Sequence, residues 1–478
     1  MSTTTRARLT AYGLALQATC LTAMPLHAQQ ANFAAPEAPR STRDYGDDLL
    51  PKDEKSRNEV LKTAAFDATI YGMSAYLQYE QMYRQVFDRT SPNFTGFNRF
   101  AHERTLAGPD YATFKVPNSD TLYSTAWIDL SKGPVEITIP PTTLKYFTLN
   151  IFDIFGNPTN LSNRTIGFKG GRFLLVAPDW HGSPPPGATV YRAATVQLWI
   201  LMRAFAQTGK EVAYARHFQD SVTITPVATP SAQTSAEVAP PPPAPGAAGF
   251  LRVLDYILRT DGCQPGEDAL VSRFRPLGVL GDRPADPPTL DAPSRAAIAS
   301  GYDSAVAVIA ASKSQLGVSN GTGWMKVNKG EYGFNYLRRS VTNTAGLGAN
   351  VREENASYTT FADADGKPLD GATANYTLRL QTPPPVNAFW SVTLYDAKSF
   401  ALHANSINRY LVSDRTAGLK VAADGSITIQ IQHAPSKSGN WLPAPAGPFF
   451  IVLRAYSPKP AMLDGGWLPP AIQASTAP

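Results

Sequence analysis

Hydrophobic and polar residues alternate with a period of two in several segments of this 478-residue chain. Residues 135–139 have the sequence Val-Glu-Ile-Thr-Ile, and residues 427–432 have the sequence Ile-Thr-Ile-Gln-Ile-Gln. This pattern is typical of a strand that buries one face. The more continuous apolar runs at 172–176 and 195–202 predict further strands. The chain is therefore predicted to be rich in β-structure.

Helical periodicity occurs in three stretches, at 56–87, 250–258 and 294–313. In the first stretch, apolar residues recur at intervals of three and four. Ser56 is predicted as the N-cap of this helix, with Glu59 three residues later in the arrangement of a capping box. The helices are therefore expected to flank the β-rich parts of the chain.

Three segments of the first half of the chain return in the same order in the second half. The matched pairs are 146–153 with 389–396, 163–164 with 408–409, and 198–205 with 449–456. Such self-similarity indicates a duplicated structural unit. We therefore predict a mainly β fold with flanking helices (α+β), in which two pseudo-repeated β-sandwich or jelly-roll modules pack together.

The repeat can be extended backwards by matching Tyr123 with Tyr358. This alignment places Asn118 and Asp120 opposite Glu353 and Asn355, respectively. Duplicated units keep what folding requires, so polar residues that differ between the copies are the better site candidates. The shared pairs Asp153/Asp396, Arg164/Arg409 and Arg203/Arg454 are assigned first to the scaffold, with ligand binding as the alternative for the arginines.

A change in composition divides the chain at 226–249, where four consecutive prolines follow a stretch rich in Ser, Thr and Ala. Such a segment is extended and solvated, which is typical of a linker. The predicted divisions are a signal peptide at 1–28, an irregular lead-in at 29–55, a helix with the first β module at 56–225, the linker at 226–249, a helical segment at 250–350 and the second β module at 351–478.

The first 28 residues have the organisation of a secretory signal. Arg6 and Arg8 form a basic segment, a mostly apolar stretch runs from residue 9 to residue 25, and Ala28 is a small residue at the cleavage position. We therefore predict a periplasmic or secreted protein. Removing these residues would lower the formal net charge from +5 to +3, because two arginines and no acidic residues are lost.

Composition also narrows the partners. The modest charge and the absence of a basic run with interleaved aromatic residues predict no nucleic-acid binding. After the leader, no apolar stretch of the sequence reaches membrane-spanning length, so an integral membrane protein is not expected.

Cys263 would be the only cysteine of the mature chain, which excludes an intramolecular disulfide. Histidine pairs at metal-binding spacing and glycine-rich phosphate loops are missing from the sequence, so no metal and no cofactor are predicted. A homo-oligomer is left open.

Several short motifs also carry a family resemblance. They are Pro117–Ser124, Asn163–Thr165, Phe389–Asp396, Asn408–Tyr410, Asp424–Ser426 and Asn440–Pro445. In this order they resemble proteins that pair domain of unknown function 1254 with domain of unknown function 1214, over residues 60–210 and 320–470. The resemblance implies an exported bacterial protein with a β-rich, jelly-roll-containing fold. It implies no catalytic residues.

The segment Asn118-Ser-Asp-Thr-Leu-Tyr123 is the best polar constellation in the sequence. Asp120 could act as a base or accept a sugar hydroxyl, Asn118 could donate and accept hydrogen bonds, and Tyr123 could provide a ring platform or an acid. The alternative is structural, because Asn and Asp side chains commonly hold turns. Before the second module, Lys326, Tyr336, Arg338 and Arg339 could supply positive charge to an anionic ligand, or could form a solvated face.

The preferred hypothesis is an exported protein that binds a small molecule or saccharide in a cleft between the modules, with processing of that ligand left open. The predicted site residues are Asp120 and Tyr123 as catalytic candidates and Asn118, Tyr358, Arg338, Arg164, Arg409 and Trp390 as ligand-binding candidates. Two alternatives are a metal-independent hydrolase or lyase that uses Asp120 and Tyr123, and a structural or assembly protein of the envelope. Whether the protein catalyses a reaction is left open.

Overall fold

The computed structural model describes residues 50–111, 116–227, 239–281, 290–327, 330 and 332–476, and it has the predicted mainly β architecture with flanking helices. The predicted signal peptide and most of the predicted lead-in lie outside these residues. The α-helices are α1 (Glu54–Met82), α2 (Asn163–Ile166), α3 (Gly209–Ser221), α4 (Gly246–Asp261), α5 (Asp268–Ser272), α6 (Ala292–Ser312), α7 (Tyr336–Ala345) and α8 (Pro460–Leu463). A π-helical turn, Tyr83–Phe87, continues α1, and 3-10 turns lie at Arg275–Leu277 and Lys313–Gln315.

The strands fall into two groups along the chain, and the second group begins at Val318, within the segment 250–350 that was predicted to be helical. The first group is β1 (Ala101–His102), β2 (Thr121–Asp129), β3 (Val135–Ile139), β4 (Phe147–Asp153), β5 (Pro158–Ser162), β6 (Gly171–Val176), β7 (Ala188–Arg192), β8 (Gln197–Phe205) and β9 (Thr223–Pro226). The second group is β10 (Val318–Ser319), β11 (Met325–Lys326), β12 (Asn355–Thr360), β13 (Ala374–Leu380), β14 (Trp390–Asp396), β15 (Leu411–Ser413), β16 (Ile427–Gln432), β17 (Trp441–Pro443), β18 (Phe449–Tyr456) and β19 (Gln473–Thr476).

Each module is a sandwich of two sheets around its own hydrophobic core. In the first module, a sheet of order β1-β2-β8-β4-β5 faces a sheet of order β7-β6-β3-β9. In the second module, a sheet of order β10-β11-β12-β18-β14-β15 faces a sheet of order β17-β16-β13-β19. The alternating residues of β3 and β16 supply one wall of each core, because their apolar side chains all point inwards. The predicted pair of sandwich modules is confirmed.

The two modules share one topology, strand by strand. The order β2-β8-β4-β5 corresponds to β12-β18-β14-β15, and β6-β7 corresponds to β16-β17. In both modules this last pair is parallel while the neighbouring pairs are antiparallel. The predicted match of β4 with β14 is confirmed, because Phe147 and Trp390 each pair with an alanine one residue after the arginine of the central strand.

The predicted alignment of the entry strands is wrong by one residue. Tyr123 on β2 pairs with Arg203, whereas Ser357 on β12 pairs with the equivalent Arg454. Tyr123 therefore corresponds to Ser357 and not to Tyr358. Successive side chains of a strand point to opposite faces, so a slip of one residue exchanges the two faces.

The same slip applies to the acidic residue before each entry strand. The backbone oxygen of Asp120 accepts a hydrogen bond from Ala206 N, and that of Glu354 accepts one from Ser457 N, both at 2.9 Å. Asp120 therefore corresponds to Glu354, not to Asn355. Each module has one carboxylic acid at this position.

The predicted match of Arg164 with Arg409 is also wrong. Residues 162–165 and 413–416 have the sequences Ser-Asn-Arg-Thr and Ser-Asp-Arg-Thr. In each, the serine N–H is donated to the threonine Oγ1 at 2.9 Å, and the serine Oγ accepts from the arginine N–H. Arg164 therefore corresponds to Arg415 and not to Arg409.

A helical layer covers the outer face of the first large sheet. Trp127 and Trp199 on this face share a hydrophobic core with residues of α1, α4, α6 and α7. Helix α1 begins at Glu54, two residues before the prediction, because Asp53 and not Ser56 is the N-cap: its Oδ2 accepts a hydrogen bond from Ser56 N at 2.8 Å. This layer makes the first module thicker than the second.

The described part of the predicted linker packs along α1. The backbone oxygens of Pro241 and Ala244 accept hydrogen bonds from the hydroxyl groups of Tyr79 and Tyr76, at 2.8 and 3.1 Å. This part of the segment is therefore attached to the helical layer.

A buried acid at the end of α4 makes stability depend on pH. Burial, with a smaller effect of Asp129, raises the pKa of Asp261 well above its ordinary value, although Gln197 N donates to its Oδ1 at 2.6 Å. Consider an acid whose pKa is raised in the folded state. Its contribution to the free energy of unfolding is fully present below the unfolded pKa of about 3.9, and it is lost as pH rises through the folded pKa. We expect the free energy of unfolding of Asp261→Asn to increase, relative to that of wild type, as pH rises from about 4 to about 8.

Chemical denaturation at several pH values checks this expectation. The exposed Asp365 provides the control, since Asp365→Asn removes a charge from a side chain that is 72% exposed. A difference in the free energy of unfolding between Asp261→Asn and wild type that stays constant with pH would contradict it.

Candidate functional site

Four aromatic residues form the centre of the contact between the two modules. Tyr146 and Phe205 come from the first module, and Phe389 and Tyr456 come from the second, all buried. Phe205 N donates to the Tyr146 carbonyl, and Tyr456 N donates to the Phe389 carbonyl, so the two pairs are equivalent. The Phe389 and Tyr456 rings stack with centroids 4.0 Å apart, and Tyr146 lies 5.2 Å from Tyr456. The modules therefore meet across a pseudo-twofold axis.

Asp120 lies beside this axis and reaches into the second module. Its Oδ2 accepts a hydrogen bond from Ser391 Oγ at 2.6 Å, and its Oδ1 accepts one from Gln207 Nε2 at 2.7 Å. The Gln207 Oε1 in turn accepts from Ser413 Oγ at 3.1 Å. Asp120 is fully buried, and burial raises its pKa while the bonds from Ser391 and Gln207 oppose that shift. These contacts favour a latch between the modules over an acid–base role.

Asn118 holds the turn that delivers Asp120. Its Oδ1 accepts a hydrogen bond from Asp120 N at 2.6 Å, and its backbone N–H is donated to Tyr123 Oη at 3.3 Å. Its Nδ2 donates to Tyr456 Oη across the axis. These bonds support the structural alternative for this segment, in which Asn and Asp side chains hold a turn.

A buried arginine fastens the same segment to the second module. Arg454 Nη1 donates to Tyr395 Oη at 2.8 Å, and its Nη2 donates to the carbonyl of Val116 at 3.2 Å. Tyr395 Oη donates onwards to the carbonyl of Pro117 at 2.6 Å. Arg454 therefore ties the entry segment of one module to the sheet of the other.

The backbone is strained where this entry segment contacts the second module. Val116 and Phe400 adopt positive φ angles of 54° and 60°, and Val116 N donates to the Phe400 carbonyl at 3.1 Å. A β-branched or bulky residue in this region costs about 1–3 kcal/mol, so the surrounding contacts must impose it.

Glu354 is the equivalent of Asp120 in the second module, and its side chain reaches into the first module. Its Oε1 accepts hydrogen bonds from Ser162 Oγ and Arg164 Nε of the first module, both at 2.6 Å. The carboxylate is fully buried and burial raises its pKa. Each module thus sends one acid into the other, and the predicted ligand-binding candidate Arg164 serves this second latch.

The other predicted site residues lie apart from Asp120. Tyr358 and Trp390 belong to the core of the second sandwich, where Tyr358 Oη donates to the Met462 carbonyl at 3.3 Å. Arg409 Nη1 donates to the carbonyls of Gly439 and Trp441 at 3.1 and 3.0 Å. Tyr123 stays with Asn118 and Asp120, whereas Arg338 lies part-exposed on α7. Asp120 and Tyr358 therefore do not share a cleft.

The structure adds a site centred on Arg339, next to the predicted Arg338. Arg339 is 0% exposed, and its Nη2 donates to the carbonyl of Tyr71 on α1 at 3.0 Å. Three aromatic rings surround the guanidinium carbon at 5.1–5.4 Å, those of Tyr71, Phe155 and Tyr336. Its Nε and Nη1 have no hydrogen-bond acceptor among the described residues. A buried cation with two unused donors is rare in proteins, and it indicates a ligand or water contact.

A buried acid completes this site, which we call the Arg339 pocket and define by Tyr71, Phe155, Glu267, Tyr336 and Arg339. Glu267 is 1% exposed, and its Oε2 accepts a hydrogen bond from Tyr71 Oη at 2.8 Å. Its Oε1 has no donor within the described part of the chain. Burial, followed by the charge and hydrogen bond of Glu267, raises the pKa of Tyr336 to about 12. Both tyrosines therefore stay protonated at neutral pH.

The wall of the pocket is rigid. Ser74 Oγ on α1 donates to the Phe155 carbonyl at 2.6 Å, and Gln78 Nε2 donates to the Asp153 carbonyl at 2.9 Å. Gly156 has a φ of 90°, and a Cβ there would lie 2.6 Å from Ser74 Oγ, so only glycine fits this turn. The β4–β5 turn is therefore fixed against α1, which positions Phe155 under Arg339.

Within the described ranges, neither a metal-binding cluster nor a membrane-spanning helix is found. Within them, no cluster of three or more His, Cys, Asp or Glu side chains could hold a metal ion. Within the same ranges, no helix has the length and apolar character needed to cross a membrane.

The fold and these contacts define a protein of two duplicated β-sandwich modules, latched together and covered on one side by helices. Two family models match its parts. Residues 97–226 match "Protein of unknown function (DUF1254)", and residues 354–460 match "Protein of unknown function (DUF1214)". The two matches occur in the order that the motifs predicted, so the expected resemblance to proteins that combine these two domains is confirmed. None of the curated proteins matches it.

A solved structure supports the fold. The crystal structure of the VPA0106 protein from Vibrio parahaemolyticus aligns with a TM-score of 0.66 at 22% identity, covering 87% of this chain and 100% of that one. An uncharacterized protein from Burkholderia cenocepacia aligns with a TM-score of 0.41 at 14% identity, over 89% of this chain and 90% of that one. The first likeness concerns the fold alone.

Proposed function

We propose that this protein binds a small polar molecule, and that its ligand enters the Arg339 pocket. The observation that carries the proposal is the state of Arg339, a fully buried cation whose Nε and Nη1 lack acceptors among the described residues. The small-molecule class predicted from the sequence is kept, but the site moves from the junction of the modules to the helical layer.

Arg339 and Arg454 differ in how many of their buried N–H donors are bound within the protein. Both are buried, but Arg454 uses two nitrogens to bind acceptors of the protein, whereas Arg339 uses one. Leaving a buried donor unsatisfied costs about 1–3 kcal/mol, and more for a charged group. A ligand that accepts from Arg339 removes this cost, so the free energy of binding gains from a penalty already present in the protein.

The pocket also comes close to the surface. Tyr336 is part-exposed, and the neighbouring Phe334 is 68% exposed, with its ring 6.5 Å from that of Tyr336. Phe334 also lies 3.7 Å from the position a Cβ of Gly266 would take. Tyr336 and Phe334 therefore mark the side from which a small molecule reaches Arg339. We place this function in the periplasm or outside the cell, on the basis of the leader in residues 1–28.

A thermal-shift screen tests the proposal. The panel contains acetate, glycolate, glycine, glycerol and D-glucose, each against wild type, Arg339→Met and the adjacent control Arg338→Met. A ligand at one hundred times its Kd stabilises by about 2.7 kcal/mol. We expect at least one compound to raise the melting temperature of wild type and of Arg338→Met, but not that of Arg339→Met.

Two results would count against the proposal. One is a flat response of wild type to the whole panel. The other is an equal shift in all three proteins. Should Arg339→Met fail to fold, Arg339→Gln, which removes the charge but keeps a polar side chain, replaces it with the same expected loss of the shift.

A further inference from the structure

The unused groups of the Arg339 pocket have opposite character. Arg339 offers two N–H donors and a positive charge, and Glu267 offers a carboxylate oxygen without a donor, within the described residues. Tyr71 connects them, since its ring lies 5.4 Å from the guanidinium carbon and its hydroxyl donates to Glu267 Oε2 at 2.8 Å. Tyr71 therefore contacts both the donor side and the acceptor side of the pocket.

Tyr336 repeats this connection from the other helix. Its ring lies 5.1 Å from the Arg339 guanidinium carbon and 5.2 Å from the Tyr71 ring in an edge-on arrangement. Its hydroxyl, like that of Tyr71, interacts with Glu267. The two tyrosines hold Arg339 and Glu267 in place while leaving one side of each unused, which is the preorganisation a binding site requires.

We propose that the ligand is a small carboxylic acid with a hydroxyl or ammonium group on the carbon next to the carboxylate, an inference that rests on the proposed function. The carboxylate accepts hydrogen bonds from Arg339 Nε and Nη1. The adjacent hydroxyl or ammonium donates to Glu267 Oε1. One compact molecule thus satisfies both ends of the pocket.

The charges of the pocket favour this class over its competitors. A guanidinium in an aromatic, water-poor surrounding pairs best with a carboxylate or phosphate. A fully ionised phosphate monoester offers acceptors only, so it would leave Glu267 Oε1 without a donor and would be repelled by the charge of Glu267. A neutral sugar offers donors to Glu267 but no charge to Arg339.

Asp153, the other acid near Arg339, is already engaged. Its Oδ1 accepts from Asn157 N at 2.9 Å, and its Oδ2 accepts from Asn157 Nδ2 and from Gln264 Nε2 at 2.7 and 2.8 Å. Asp153 therefore stabilises the wall of the pocket, and Glu267 is the acid that faces a ligand donor.

Ligand-observed NMR titrations of the full chain test the inference. Glycolate and glycine carry both groups, acetate lacks the donor, and glycolamide lacks the charge. A hydrogen bond to a charged group is worth about tenfold or more in affinity. We expect wild type to bind glycolate or glycine at least about tenfold more tightly than acetate and glycolamide.

Variants assign this preference to Glu267. Glu267→Gln should reduce the preference for glycolate over acetate to less than about threefold. The neighbouring exposed acid gives the control, since Asp268→Asn should leave the preference unchanged. Equal binding of acetate and glycolate, both abolished by Arg339→Met, would overturn the ligand class while leaving the proposed function intact. Absence of binding by any of the four compounds and by the thermal-shift panel would overturn both.

Discussion

Asp120→Ala is expected to lower the free energy of unfolding by about 3 kcal/mol, the cost typical of breaking a buried, charge-assisted hydrogen-bond network. The substitution removes the acceptor of Ser391 Oγ and Gln207 Nε2, which are held at 2.6 and 2.7 Å. It also removes the acid whose charge lies near the buried Arg454. Urea denaturation, followed by tryptophan fluorescence, measures the effect.

Asp120→Asn gives the matched control for this latch. Asparagine keeps the shape and one acceptor, and Ser391 Oγ can accept from its amide, so we expect less than half of the alanine effect. The exposed Asp365→Ala should change stability by less than about 0.5 kcal/mol. A loss below about 0.5 kcal/mol for Asp120→Ala would show that the latch does not hold the modules together.

Arg454→Met is expected to cost about 3–5 kcal/mol, because it breaks a buried network and leaves its partners unpaired. Tyr395 Oη and the Val116 carbonyl lose their donor, and the strained backbone of Val116 loses its support. Arg339→Met removes one bond, to the Tyr71 carbonyl, together with a cation that has two unused donors. Its expected cost is therefore smaller, below about 1.5 kcal/mol.

The contrast between the two arginines separates a structural role from a binding role. Both variants are compared in the absence of added ligand, by denaturant unfolding under the same conditions. Residues kept for binding are often neutral or costly for stability. If Arg339→Met destabilised the protein as much as Arg454→Met does, Arg339 would be a structural residue like Arg454.

The duplicated sandwiches could be predicted because their signal is local. The alternation at 135–139 and 427–432 and the matched segments 146–153 and 389–396 reside in single strands that remain strands in the structure. The alignment of Tyr123 with Tyr358 failed for a physical reason. The two aromatic residues resemble each other in sequence, but only the pairing with Arg203 and Arg454 fixes which face each occupies.

The Arg339 pocket could not be predicted from the sequence, because its residues are brought together only by tertiary packing. The sequence predicted positive charge before the second module, and it predicted Arg338 as a ligand-binding residue. In the structure, the neighbouring Arg339 is the residue that contacts α1. Helical phase could have suggested this choice, because Tyr336 and Arg339 are three residues apart on one face of α7. The partners Tyr71, Phe155 and Glu267 come from distant parts of the chain, and the lack of an acceptor for Arg339 is a property of tertiary packing.

The role of Arg339 in binding can be tested by a crystal structure of the wild-type protein with the compound that gives the largest thermal shift. We expect an acceptor atom of that compound within about 3 Å of Arg339 Nε or Nη1. We also expect Tyr71 Oη still to donate to Glu267 Oε2, as it does at 2.8 Å. A compound bound elsewhere, with Arg339 turned to pair directly with Glu267, would show that Arg339 does not bind the ligand.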